Sequence, residues 1–91
     1  MFTSSAKLTF HIAYAASLKD KRQVRRSLID QTRQRFNASV AEVGTQDSHQ
    51  TLTIGVAVVS GDAAHAQNSL DEIIRFMEQN PEAELMDVEM F

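Results

Sequence analysis

Polar and apolar positions alternate or recur with clear periods along most of this chain. Leu8, Phe10, Ile12 and Tyr14 alternate with Thr9, His11 and Ala13, the period of two that buries one face of a strand. Met1 to Ala6, small and polar, reads as a loose lead-in to that strand. Ala15-Ala16 is a short connection. From Ser17 the period changes to that of a helix. At about 100° per residue, Leu18, Val24, Leu28, Ile29, Thr32 and Phe36 share one broad face. Ser17 is a good N-cap, and Asp20, three residues on, stands where a capping box places its acid. Phe36-Asn37 marks the helix end, with Asn37 as a left-handed cap.

Ser39 to Val43 follows as a strand. Val40 and Val43 have opposite parity, which a bulge or burial on both sides would explain. Gly44 to Gln50 is a polar loop. Thr51 to Ser60 gives the clearest alternation, with Leu52, Ile54, Val56 and Val58 on one side. Ser60-Gly61-Asp62 breaks the strand, and Asp62 caps a second helix. Its stripe is Ala66, Leu70, Ile73, Ile74 and Met77, and it ends at Asn80-Pro81. Leu85 to Phe91 reads as a last strand.

The order is β-α-β-β-α-β over a single domain, residues 1–91. Right-handed crossovers put both helices on one face of the sheet. The fold class predicted is α+β, a ferredoxin-like split βαβ with a four-stranded antiparallel sheet in the order 4-1-3-2.

Charge adds the first functional hint. The net charge is −3, yet the bases are concentrated. Lys19, Lys21, Arg22, Arg25, Arg26, Arg33 and Arg35 lie within residues 19–35, against Asp20 and Asp30 alone. Residues 71–91 carry Asp71, Glu72, Glu78, Glu82, Glu84, Asp87 and Glu89 against Arg75. Such a split can give a dipolar molecule with one anion-attracting face. Lys19, Arg22, Arg26 and Arg33 fall on an exposed arc beside the apolar stripe. Arg25 points close to that stripe, its stem packed and its head reaching water.

Lys19, Lys21, Arg22, Arg26 and Arg33 are therefore the candidate RNA- or anion-binding residues. Long cations along one helix suit a phosphate backbone. The helix N-terminus adds free N–H groups and positive dipole charge. An ordinary solvated helix face is the plain alternative. The open sheet face offers Thr9, His11, Ala13, Thr53, Gly55 and Ala57, with no aromatic platform for stacked bases. Any RNA contact is thus expected through the helix. The small residues Gly55, Ala57 and Val59 point either to a sheet face that meets a second subunit, a homodimer, or to a plain, partly exposed sheet.

Other chemistry is thinly represented. There is no cysteine, which excludes disulfides, thiolate metal sites and a cysteine nucleophile. A reducing cytoplasm fits. No apolar run approaches the roughly 20 residues of a membrane span, and no signal-peptide pattern opens the chain. Glu42, Gln46, Asp47, His49 and Gln50 could serve acid–base chemistry or a metal, but turn hydrogen bonding and strand-end pairing explain the same residues. His11, His49 and His65 lack close ligand spacing. Phosphate-loop, dinucleotide and nucleophile-elbow signatures are absent. A non-catalytic protein without metal or cofactor is expected.

Several stretches together resemble a known family. Ser17-Leu18-Lys19-Asp20-Lys21-Arg22, Ser27-Leu28-Ile29-Asp30 and Arg35-Phe36-Asn37-Ala38-Ser39-Val40-Ala41-Glu42-Val43-Gly44 are similar to the YlxP-like family of bacterial proteins. Gln46-Asp47, Gly55 to Ser60 and Ala83-Glu84-Leu85 extend the likeness over essentially the whole chain. The resemblance implies a small ferredoxin-like domain of unassigned biochemical function. It also implies genes for translation initiation and ribosome maturation as neighbours, and hence ribosomal RNA or a ribosome-associated protein as partner. Arg25 and Thr32 stand where the family usually has apolar residues.

Overall fold

The computed structural model describes residues 1–91. It contains β1 (Phe2–His11), α1 (Leu18–Arg35), β2 (Ser39–Gly44), β3 (Thr51–Ser60), α2 (Ala63–Glu78) and β4 (Glu84–Met90). The strands form one antiparallel sheet in the order β2-β3-β1-β4. That is the expected βαββαβ ferredoxin-like arrangement.

The period-two reading of β1 and β3 carries directly into packing. Ala6, Leu8, Phe10 and Ile12 are buried, as are Leu52, Ile54, Val56 and Val58 on the same face of β3. Val24, Leu28 and Ile29 from α1, with Leu70, Ile73 and Met77 from α2, join the same core. Both helices therefore cover one sheet face. Truncating a side chain as central as Phe10 would cost about 3–5 kcal/mol.

Helix ends follow their caps. Ser17 Oγ accepts the Asp20 N–H at 3.2 Å, and the Asp20 carboxylate accepts the Ala16 N–H at 3.0 Å. The Asp20 carboxylate thus bonds the residue before the cap, where the Glu of a capping box bonds the cap itself. Asp62 Oδ1 accepts the Ala64 N–H at 3.1 Å. The far end of α1 differs from expectation. Phe36 is the C-cap, in extended conformation, and Asn37 is not left-handed. The chain turns straight into β2 without a left-handed residue. Phe36 instead meets Phe76 edge-to-face at 5.5 Å, which ties the end of α1 to α2.

Two further expectations are corrected. Met1 to Ala6 is no loose lead-in, because β1 begins at Phe2 and pairs with β3 from Phe2↔Ser60 onward. Backbone pairing with a ten-residue partner organises this polar stretch despite its weak side-chain pattern. Tyr14 is not buried. The strand stops at His11, and Tyr14 is 92% exposed in the turn that follows.

The open choice at β2 resolves as a bulge. The pairing with β3 shifts register between Glu42 and Gly44, leaving Val43 unpaired. Val43 lies over Gly55, where a Cβ would meet its Cγ1 at 2.8 Å. A second irregularity, at Met86 in β4, interrupts the other edge strand. Bulges on both edges discourage edge-to-edge strand pairing between molecules.

Candidate nucleic-acid interface on the first helix

The seven bases of residues 19–35 separate into two groups once their neighbours are considered. The first group is engaged inside the fold. Lys21, expected among the anion-binding residues, is only 3% exposed. Its Nζ donates to the carbonyls of Thr45 at 2.5 Å and Ser48 at 2.7 Å. It also lies 3.1 Å from Glu42 Oε2, an ionic contact outside hydrogen-bond alignment that leaves that buried oxygen without a hydrogen bond. Lys21 is thus corrected from a surface cation to an internal pin between α1, β2 and the loop 45–50.

Two periodicities place that pin. Lys21 shares the helical stripe of Val24, Leu28 and Thr32, so it faces inward. Glu42 has the parity of Val40, so it faces the helices rather than the open sheet. A charge on each inward stripe forces a pair, because a lone buried ion is costly. The Glu42 carboxylate is also met by Arg25, whose Nη1 donates to Oε1 at 3.2 Å. Arg25 therefore keeps its head at the protein rather than in free solvent, a refinement of the packed-stem expectation. Thr32, the other polar residue on this face, is buried and donates its hydroxyl to the Leu28 carbonyl at 2.7 Å. Arg35 lies over the Phe36 and Phe76 rings, at 5.8 Å and 5.1 Å from their centroids.

Lys19, Arg22, Arg26 and Arg33 form the second group, and all four are exposed. Arg33 is partly committed, since its Nη2 donates to the Val40 carbonyl of edge strand β2 at 2.6 Å. A carbonyl does not neutralise it, so its charge still adds to the local potential. Lys19, Arg22 and Arg26 take no part in the hydrogen bonds or ion pairs of the side chains around them. The chain's ion pairs are Lys7–Glu89, Lys21–Glu42 and Arg25–Glu42. Spacings of three and four residues set Lys19, Arg22 and Arg26 on one arc, spanning about 10 Å at the helical rise. Beside this arc, shallow clefts run between α1 and β2, one bounded by Arg22, Arg25 and Gln46, the next by Arg26, Arg33 and Ala41. Both clefts are open to solvent, and Glu42 lines each of them, joined by Asp30 in the second.

The loop between β2 and β3, for which the sequence allows acid–base chemistry or plain turn bonding, is rich in turn contacts. Thr45 adopts a left-handed φ of 57°. Its carbonyl takes both Lys21 and the Ser48 N–H, and its hydroxyl donates to the Gly44 carbonyl, with Thr53 Oγ1 at 3.0 Å. Gln50 accepts the Ile12 N–H at 2.8 Å through its carbonyl. Gln46, Asp47 and His49 are exposed, and Gln46 borders the same shallow cleft as Glu42. His11 is on β1, His49 in this loop and His65 on α2, where its Nδ1 lies 3.2 Å from Ser60 Oγ.

The open sheet face has the composition expected. Thr9 pairs with Thr53 and His11 with Thr51, Gly55 and Ala57 stand opposite Lys7 and Ser5, and Ala13 falls beyond the strand. Lys7 and Glu89 pair across it at 3.2 Å.

Fold and site together define a small ferredoxin-like α+β domain with a partly internalised basic first helix. The chain belongs to the family described as "Protein of unknown function (DUF503)", whose model matches residues 3–90. It is similar to "Uncharacterized protein YlxP" of Bacillus subtilis (strain 168), with 34% identity over 70 residues, covering 77% of this chain and 76% of that protein.

Proposed function

We propose that this chain is a non-catalytic cytoplasmic accessory protein that binds RNA, ribosomal RNA foremost, through the outer arc of α1. One observation carries the reading: Lys19, Arg22 and Arg26 share an exposed arc and have no partner within the fold, whereas Lys21, Arg25 and Arg35 do. Cations held on a rigid helix, already clear of internal carboxylates, can each replace counterions at a phosphate. Arg33 adds charge at the end of the same arc. The sheet face lacks stacked aromatics, so contacts are to backbone and shape rather than to bases.

Reversing Arg22 and Arg26 to Glu tests this. The double variant should lose at least about tenfold in affinity for ribosomal RNA fragments and should leave the ribosomal-particle fraction on sedimentation. Its helical circular dichroism and melting should stay near those of the parent, since neither head group is engaged in the fold. Equal co-sedimentation of parent and variant would refute the proposal.

A second reading is self-association through the sheet face. Val43 and Val59, exposed on that face at 53% and 61%, favour it. Sedimentation equilibrium of the chain alone, with and without Val59→Lys, distinguishes it. A dimer abolished by that substitution supports the reading, and a monomer at all concentrations rejects it.

A further inference from the structure

A cavity of about 220 Å³ lies at the opposite flank of α1 from β2, where the β1–α1 turn meets the approach to β4. Its floor is apolar, made by Ile12, Ala15 and Val24. Tyr14 forms one wall, with its ring outside the core. The polar rim is acidic: Asp20 and Glu82 line the cavity with the Gln23 amide, and no lysine or arginine does. Neither carboxylate enters an ion pair of the chain. Asp20 Oδ2 is occupied by the Ala16 N–H, which leaves Oδ1 without a hydrogen-bond partner. Asp20 is held by its role at the start of α1, and Glu82 by the turn in which Asn80 Oδ1 accepts its N–H at 2.8 Å. The Asp20 carboxylate is thus held in place, and the backbone that carries Glu82 is anchored beside it.

We propose that this cavity docks an arginine side chain of a protein partner. The match is one of chemistry taken in layers. An arginine stem is apolar and would lie on Ile12, Ala15 and Val24. Its guanidinium is planar, stays charged and presents donors in a fork suited to carboxylates. That head would reach Asp20 and Glu82 at the rim, with the Gln23 carbonyl as a further acceptor. The Tyr14 face supplies an aromatic surface for the same cation. An anionic or phosphate-bearing ligand would meet two uncompensated carboxylates here, the reverse of the conditions on the outer arc. The inference is independent of RNA binding and concerns the opposite sign of partner.

The test uses the full chain, labelled with nitrogen-15 and titrated with N-acetyl-arginine methylamide, its neutral citrulline counterpart and guanosine monophosphate. Arginine should give saturable amide shifts at Tyr14, Ala15, Asp20, Gln23 and Glu82, and citrulline should give none that saturate. Glu82→Gln and Tyr14→Ala, both at exposed positions, should each weaken arginine binding about two- to fivefold. Tyr14→Phe should restore parental binding, since the ring face and not the hydroxyl is used. Absence of saturation with arginine, equal binding of citrulline, or saturation by the nucleotide in place of arginine would overturn the proposal. So would variants that bind arginine as the parent does.

Discussion

Replacing Lys21 by Met probes the internal pin with little change in volume. The methionine can occupy the channel of the lysine stem between Val24 and β2. It cannot supply the ammonium that now meets the Thr45 and Ser48 carbonyls and Glu42. Glu42 is about one-tenth exposed by its side chain, so its charge would stay buried with Arg25 as the remaining cation. Breaking a buried pair by removing one member costs about 3–5 kcal/mol. Arg25 persists and is a third exposed, so the lower end of that range is expected. For a domain of this length, about 3 kcal/mol lowers Tm by roughly 12–24 °C. Urea unfolding followed by circular dichroism at 222 nm measures it directly. Glu42→Gln in the Lys21→Met background removes the stranded charge and should recover a good part of the loss. A double-mutant cycle should therefore give a coupling of at least about 1 kcal/mol. A Lys21→Met protein within about 0.5 kcal/mol of the parent, or a cycle with no coupling, would refute the pin.

Other outcomes follow from single contacts. Ser17→Ala removes the acceptor of the Asp20 N–H and should cost about 1 kcal/mol in the same unfolding assay. Asp62→Ala at the start of α2 should cost a similar amount, with the two losses additive because the caps share no partner. Gly55→Ala drives a methyl into Val43 and should destabilise by about 1–3 kcal/mol, while Val43→Ala in the same chain restores most of it. If Gly55→Ala alone is neutral, the close approach of the bulge to β3 is wrong.

The order of elements, both N-caps and the helix-facing parities of β1 and β3 were legible because each rests on a strong local period. Misreadings arose where tertiary pairing outweighed the local pattern. Thr3-Ser4-Ser5 has no apolar alternation, yet β3 is long enough to pair with it. Tyr14 keeps the parity of Ile12, but the strand ends before parity can place it. Lys21 is the instructive case. Its type marks a surface residue, whereas its position three before Val24 and seven before Leu28 marks an inward one. Glu42, two residues after Val40, carried the matching signal from the strand. Read together, those spacings indicate a buried pair; the charge run read alone does not. Arg33 and Arg35 were beyond reach of helical spacing, because their partners, the Val40 carbonyl and the Phe36 and Phe76 rings, come from β2, the end of α1 and α2.

Salt dependence of binding to a ribosomal RNA fragment is the most direct measure of whether α1 meets phosphates through Lys19, Arg22 and Arg26. With those three contacts, log K against log salt should fall with a slope of about −2 to −2.7. The triple Ala variant, left with Arg33 on that arc, should bind weakly with a slope no steeper than about −1 while its fold is unchanged. A parental slope near zero, or a triple variant with the parental slope and affinity, would contradict a phosphate-binding helix.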